Sequence, residues 1–292
     1  MNKDAAGTVT ATFEDGLKVS GTLLVGCDGS RSATREFLVG KEAAQPTLMD
    51  IAMFNFTCSF DAEIAKRLRG QGPIFFNSYH PKGRMLWVSI QDVPDPAKPE
   101  NWLFQILFSW PTPPCKEDFR DQAARTAFLK SMAEEYAEPW RTIIHSVPDN
   151  LHFGVDGVTV WSPTDWSASS LAGIVTLAGD GAHPMSPYRG QGLNNGLDDA
   201  ANLTELLSST DCTRWPEAVR QYEAEMRERA LREIPISAAS AKMVHDYEQL
   251  VRSVAAQYVP STDKAQLQSP IAKLGIRRPK DEDVPQQVRV KA

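Results

Sequence analysis

The chain has few of the residues that build covalent or metal frameworks. Its four cysteines in 292 residues, Cys27, Cys58, Cys115 and Cys212, have neither zinc-site spacing nor the density of a disulfide scaffold. They read as free thiols of a reducing compartment, so the expected location is cytoplasmic. His80, His145, His152 and His245 stand apart from one another and are given no metal or catalytic role. No apolar run approaches the roughly 20 residues that span a bilayer, so no transmembrane segment is expected. The polar start, Met1 to Gly7, has no secretory signal character. Basic residues are outnumbered, 31 Lys and Arg against 37 Asp and Glu, and a net charge of −6 without a basic cluster argues against nucleic-acid binding. No Gly-x-Ser-x-Gly occurs, which removes the nucleophile elbow of a serine hydrolase. No Gly-x-Gly-x-x-Gly occurs either, so the usual dinucleotide-binding turn is missing.

What is present is an ordinary globular composition, 42% hydrophobic and 23% charged, in a length that suits one or two domains with an ample core. Two glycine-rich segments stand out. In the first, Leu23 to Gly26 reads as a strand end, Asp28-Gly29 as a turn, and Ser30 or Ser32 as the cap of a helix. Before it, Val9 to Phe13 and Lys18 to Leu24 flank Asp15-Gly16, a two-residue hairpin signal. In the second, Gly173 to Ala178 is a buried strand that ends at Gly179-Asp180, leaving a carboxylate where α/β sheets keep their ligands. Pro184 and Pro187 then stop regular structure, while Gly190 and Gly192 let backbone approach a planar ligand. Asn194 or Asn195 is predicted to start a helix carrying Leu197, Ala200, Ala201, Leu203 and Leu207, its dipole favouring negative charge at that end.

The second segment resembles the second FAD-binding motif of the para-hydroxybenzoate hydroxylase-like flavoprotein aromatic hydroxylases, which runs Gly-Asp-Ala-Ala-His, Pro, Gly-Gln-Gly-x-Asn, Asp-Ala. Here it reads Gly179-Asp180-Gly181-Ala182-His183, Pro187, Gly190-Gln191-Gly192-Leu193-Asn194 and Asp199-Ala200, with Gly181 in place of the usual Ala. The first segment is similar to that family's Asp-Gly motif, with Asp28, Gly29, Ser32 and Arg35 at the pattern positions. The resemblance implies that Asp28, Gly29, Arg35, Gly179, Asp180, Pro187, Gly190, Gln191, Gly192, Leu193 and Asn194 contact FAD or shape its site. Asp180 would bond the ribityl chain, and the helix start near Gly192 would favour negative charge on the reduced ring. The alternative for Asp28 and Arg35 is a structural ion pair with no ligand. His183 is expected to pack and bond locally, and Arg189 to meet a ligand or lie on the surface.

Between the two segments, Met49 to Phe60, Ile74 to Tyr79, Arg84 to Ile90 and Asn101 to Ser109 read as strands, and helices are expected near Glu117 to Tyr136 and Pro139 to Ser146. Gly157 to Trp161 is a further strand. Helices from Trp215 to Ala230 and from about Ile234 follow, with Glu223, Glu225, Arg227, Glu228 and Arg229 as a solvated face. The fold class is therefore α/β or α+β. An incomplete Rossmann-like FAD-binding domain is expected at 1–45 and 155–210, an inserted mixed-sheet substrate domain at 46–154, C-terminal helices at 211–268 and a loose tail at 269–292.

The resemblance implies a monooxygenase using FAD, NADPH or NADH, and O2 to hydroxylate an apolar aromatic or polycyclic small molecule, with the flavin rather than a protein side chain carrying the chemistry. The family's opening strand, Gly-rich turn and helix have no counterpart here, so truncation or a misassigned start is expected. A homodimer or a complementing N-terminal partner would cover the sheet edge this leaves. The alternative is a flavin-free homologue, a cyclase-like enzyme or small-molecule binder, or an inactive fragment.

Overall fold

The computed structural model describes residues 2–3, 8–72, 74–113, 119 and 121–253. Cys115, the expected tail at 269–292 and the end of the C-terminal helical region lie outside the described residues. The chain opens on three antiparallel strands, β1 (Asn2–Lys3), β2 (Val9–Thr12) and β3 (Lys18–Gly21), in the order β1-β2-β3. The β2–β3 hairpin lies where Asp15-Gly16 signals it, but its loop is longer than the expected two residues: the Phe13 N–H donates to the Leu17 carbonyl at 2.9 Å across it, only Gly16 is left-handed, at φ 86°, and the Asp15 carboxylate accepts from the Leu17 N–H at 2.9 Å. Strand β4 (Leu24–Gly26) follows, then α1 (Ala33–Val39), which Ser32 caps by accepting from the Arg35 N–H.

The inserted sheet consists of β5 (Thr47–Cys58), β6 (Phe75–His80), β7 (Arg84–Asp92), β8 (Leu103–Trp110) and β9 (Asp156–Val160), in the order β6-β7-β8-β5-β9. All four pairings are antiparallel, so this sheet is antiparallel rather than mixed. Alternation splits its residues between two faces. One face, with Phe54, Phe56, Leu86, Val88, Ile106 and Phe108, packs into the main core with Leu68, Leu129 and Ile143. These last come from three helices: α2 (Ala62–Gln71), α3 (Gln122–Ala133) and α4 (Trp140–His145). Helix α2, absent from the sequence reading, is short and carries only Ala65 and Leu68 fully buried, too little for a clear periodicity. It is set instead by Asp61, whose carboxylate accepts from the N–H groups of Glu63 and Ile64 at 3.0 and 2.9 Å.

After the insert, β10 (Val175–Leu177) pairs in parallel with β4, Leu24 opposite Val175 and Gly26 opposite Leu177. Helix α5 (Gln191–Ser208) starts at Gln191, before the expected Asn194 or Asn195. The cause is Gly190, whose φ of 63° and ψ of 22° turn the chain directly into the helix. Asn195 lies inside it, and its side-chain amide donates back to the Gln191 carbonyl at 2.8 Å. Helix α6 (Trp215–Val244) is continuous where two helices were expected. Pro235 lies within it, at an intrinsic cost of about 3 kcal/mol. The buried stripe Tyr222, Met226, Ala230, Ile234, Ser237 and Ala241 runs through that position, so packing outweighs the lost hydrogen bond. The residues up to Tyr247 pack as one unit; a second begins at Glu248, of which only the end of α7 (Tyr247–Arg252) and Ser253 are described. No helix among the described residues is long and apolar enough to cross a membrane.

Candidate functional site

Because β4 and β10 run in parallel, the two glycine-rich segments leave the sheet at the same edge. The Ala178 N–H donates to the Gly26 carbonyl at 3.0 Å, which fixes the two exits side by side. The segments then touch so closely that a Cβ on Gly181 would lie 2.6 Å from the Gly26 oxygen and 3.5 Å from Asp28 Oδ1. The departure from the resembling pattern at this position therefore has a local cause.

Asp28 anchors the first segment. Its Oδ1 accepts from the Ser32 hydroxyl at 2.5 Å, and its Oδ2 from the Thr34 N–H and hydroxyl at 2.9 and 3.0 Å. Burial opposes its ionisation, but these bonds outweigh it and hold the carboxyl below its ordinary value. Gly29, at φ 81°, makes the turn that follows. Arg35 forms no ion pair with Asp28. It is buried and ties three segments together by donating to the carbonyls of Ala44 and Gly181, each at 2.9 Å, and of Ser30 at 2.5 Å. Its guanidinium lies 4.7 Å from the centre of the Trp161 ring.

The second segment presents its polar groups outward. Asp180 is exposed, its carboxylate has no hydrogen-bond or ion-pair partner among the described residues, and Oδ1 lies 3.9 Å from where a Cβ on Gly192 would be. Gly190 caps α5 with no side chain bonded to the first turn. The first-turn N–H groups of Gln191, Gly192 and Leu193 have no intrahelical acceptor, and they lie at the positive end of the helix dipole next to Asp180. Leu193 and Asn194 are exposed, and Pro187 opens the short turn Pro187–Arg189 just before.

A buried polar network holds these parts in register. Asp199, fully buried on α5, accepts from the Gly179 N–H at 2.7 Å, pairs with His183 Nε2 at 2.6 Å and with Arg229 at 2.6 Å. Arg229 also donates to Asn195 Oδ1 at 2.8 Å. His183 is therefore a packing and bonding residue, as expected, while Asp199, Asn195 and Arg229 were not assigned to the site. Two of the charges expected on a solvated face of α6 are buried: Arg229, and Glu223, which accepts from the Trp166 indole at 2.8 Å. Their signal was in the spacing, since 219, 222, 223, 226, 229 and 230 fall on one helical stripe.

The second face of the inserted sheet looks towards this loop. Between them lies a cavity of about 520 Å³, walled on one side by Asn77, Trp87, Leu107 and Gln105 and on the other by Tyr188 and Gly190. Arg189 also borders it, but its guanidinium is paired with Glu233 at 2.8 Å. Burial pushes the Tyr188 phenol up to about 12, so this side chain borders the cavity in its protonated form.

A family profile described as an FAD binding domain matches residues 2–234. The chain belongs to that FAD-binding family. Within it, the chain is 34% identical to the FAD-dependent monooxygenase phnB of Penicillium herquei, over 86% of this chain and 61% of the relative. It is also 34% identical to the FAD-dependent monooxygenase cctM of Talaromyces islandicus, over 84% of this chain and 62% of the relative. It thus spans about three fifths of the length of both. Klebsiella pneumoniae HpxO, solved with FAD and uric acid, shares the fold: the TM-score is 0.67 at 22% identity, over 85% of this chain and 58% of that one.

Proposed function

We propose that this FAD-binding chain acts in a monooxygenase reaction that uses FAD, NADPH or NADH, and O2 to hydroxylate an aromatic or polycyclic small molecule. The observation that carries this reading is the placement of the cavity, which has the glycine-rich loop as one wall and the inserted sheet as the other. A flavin docked on that loop would face a substrate lying on the sheet.

The residues present suit that cofactor. Gly190 and Gly192 offer backbone without a Cβ, the open first turn of α5 suits an electron-rich ring edge, and the unpartnered Asp180 suits a hydroxylated chain. Gln191, Leu193 and Asn194 complete that turn. Asp28, Gly29, Arg35 and Gly179 hold the loops around it, and Pro187 shapes the rim of the cavity. Bound flavin supplies the redox chemistry that activates oxygen. On this reading 1–45 and 155–210 form the cofactor side, 46–154 the substrate side and, of the expected helices at 211–268, the residues up to 247 the helical support.

The test is to supply the purified chain with FAD and either NADPH or NADH under ¹⁸O₂ and a panel of phenolic aromatics. Substrate-dependent nicotinamide oxidation with one ¹⁸O in the product is expected. A chain that takes up FAD yet transfers no labelled oxygen to any aromatic would overturn the assignment.

A further inference from the structure

The register of the inserted sheet puts Asn77, Trp87, Leu107 and Asn55 in one row across β6, β7, β8 and β5. They share a face, so a flat apolar centre formed by Trp87 and Leu107 has a carboxamide at each end. Three strand spacings separate the end residues, about 14 Å between backbones before their side chains reach inward. At the β5 end, Asn55 is joined by Gln105, whose amide donates to Asn55 Oδ1 at 2.8 Å. At the β6 end, Asn77 Oδ1 is buried and accepts no hydrogen bond among the described residues. All four side chains of the row, and Gln105, border the cavity.

Carboxamides donate and accept without carrying charge, so they match hydroxyl and keto oxygens. A carboxylate would need a cation to offset its desolvation. The cation bordering the cavity is Arg189, and Glu233 already occupies it. We infer that Asn77 at one end and the Asn55–Gln105 pair at the other are the specificity-determining residues of this cavity. They select a flat fused-ring molecule with neutral oxygens at both ends and reject aromatic carboxylates. This inference rests on the reading of the cavity as the substrate site, but it is tested by binding and needs no turnover.

The experiment is calorimetric titration of the full chain with 2,6-dihydroxynaphthalene, 2-naphthol and 6-hydroxy-2-naphthoate. Each neutral hydrogen bond gained at an end contributes about 3- to 10-fold in affinity. The diol should therefore bind about that much more tightly than 2-naphthol, and the hydroxynaphthoate least tightly. Asn77→Leu should bring the diol to the affinity of 2-naphthol while leaving 2-naphthol unchanged, and Gln105→Leu should act likewise from the other end. The ranking of the three probes on the unsubstituted chain stands even if a variant does not fold. A hydroxynaphthoate that binds as tightly as the diol, a diol no better than 2-naphthol, or no binding of any probe would overturn the inference. Separate flavin titration distinguishes this from failure of the monooxygenase reading: amide-dependent binding can hold while FAD binding fails, and the reverse.

Discussion

Arg229 on α6 reaches the buried Asp199 carboxylate at 2.6 Å, and the other oxygen of that carboxylate takes the Gly179 N–H at 2.7 Å. One side chain thus links the last long helix to the loop that presents Asp180. The consequence is energetic as well as geometric, since removing one partner of a buried pair leaves an uncompensated charge. Arg229→Met is expected to cost about 3 kcal/mol in urea unfolding. Arg227→Met, which removes a more exposed arginine paired with Asp165 at 3.3 Å, is expected to cost less than about 1 kcal/mol.

The same carboxylate gives the stability an acid limb. Burial would raise the Asp199 carboxyl, but bonds from His183, Arg229 and Gly179 hold it below its ordinary value. Near pH 4 the unfolded chain then binds more protons at this site than the folded one, so its contribution is complete above about pH 4 and lost as pH falls further. Asp28 has the same sign. Burial lowers the His245 imidazole as well, so the unfolded chain also takes that proton first, and stability begins to fall below about pH 6.5. Urea midpoints measured against pH should decline in both windows, and Asp199→Asn should flatten the lower one. A lower limb unchanged by that substitution would place the acid sensitivity elsewhere.

Two glycines of the second segment should fail on substitution for different reasons. At Gly181 an added Cβ meets the Gly26 carbonyl at 2.6 Å, so Gly181→Ala forces backbone apart and should cost about 1–3 kcal/mol. At Gly190 nothing lies within 4 Å, and only the positive φ of 63° opposes a side chain. Gly190→Ala should cost about 1–2 kcal/mol, and Gly190→Asn less, because asparagine tolerates the left-handed region. Equal losses for Ala and Asn at 190 would show that the conformation is not the cause.

The parts of the fold governed by local chemistry were legible in the sequence. Asp15-Gly16 marked a hairpin though not its loop length, Ser30 or Ser32 the start of α1, and the β-branched and aromatic runs the strands β5 to β8. The start of α5 was misplaced because Asn195 is a good cap by type, whereas Gly190 reaches the helix first by its backbone conformation. Glu223 and Arg229 were misread because charge suggested solvent, although their spacing with Tyr222 and Met226 placed them inward. Helix α2 escaped because a cap, not periodicity, specifies it. The cavity was beyond any local reading, since Asn77 and Asn55 come into one row only through the pairing of four strands.

The exposed Asp180 carboxylate and the open turn of α5 are the proposed contacts of the flavin. The most direct measurement is titration of the purified chain with FAD by flavin absorbance and fluorescence, in parallel with Asp180→Ala. The Asp180 carboxylate bonds to none of the described residues, and its carbonyl, which accepts from Arg35 at 3.4 Å, is kept in the variant, so the urea midpoint of the unsubstituted chain should be retained. Saturable FAD binding, weakened at least about tenfold by Asp180→Ala, as loss of a charged hydrogen bond implies, is the predicted result. A folded chain that does not bind FAD, or binds it equally well without the Asp180 carboxylate, would contradict the account.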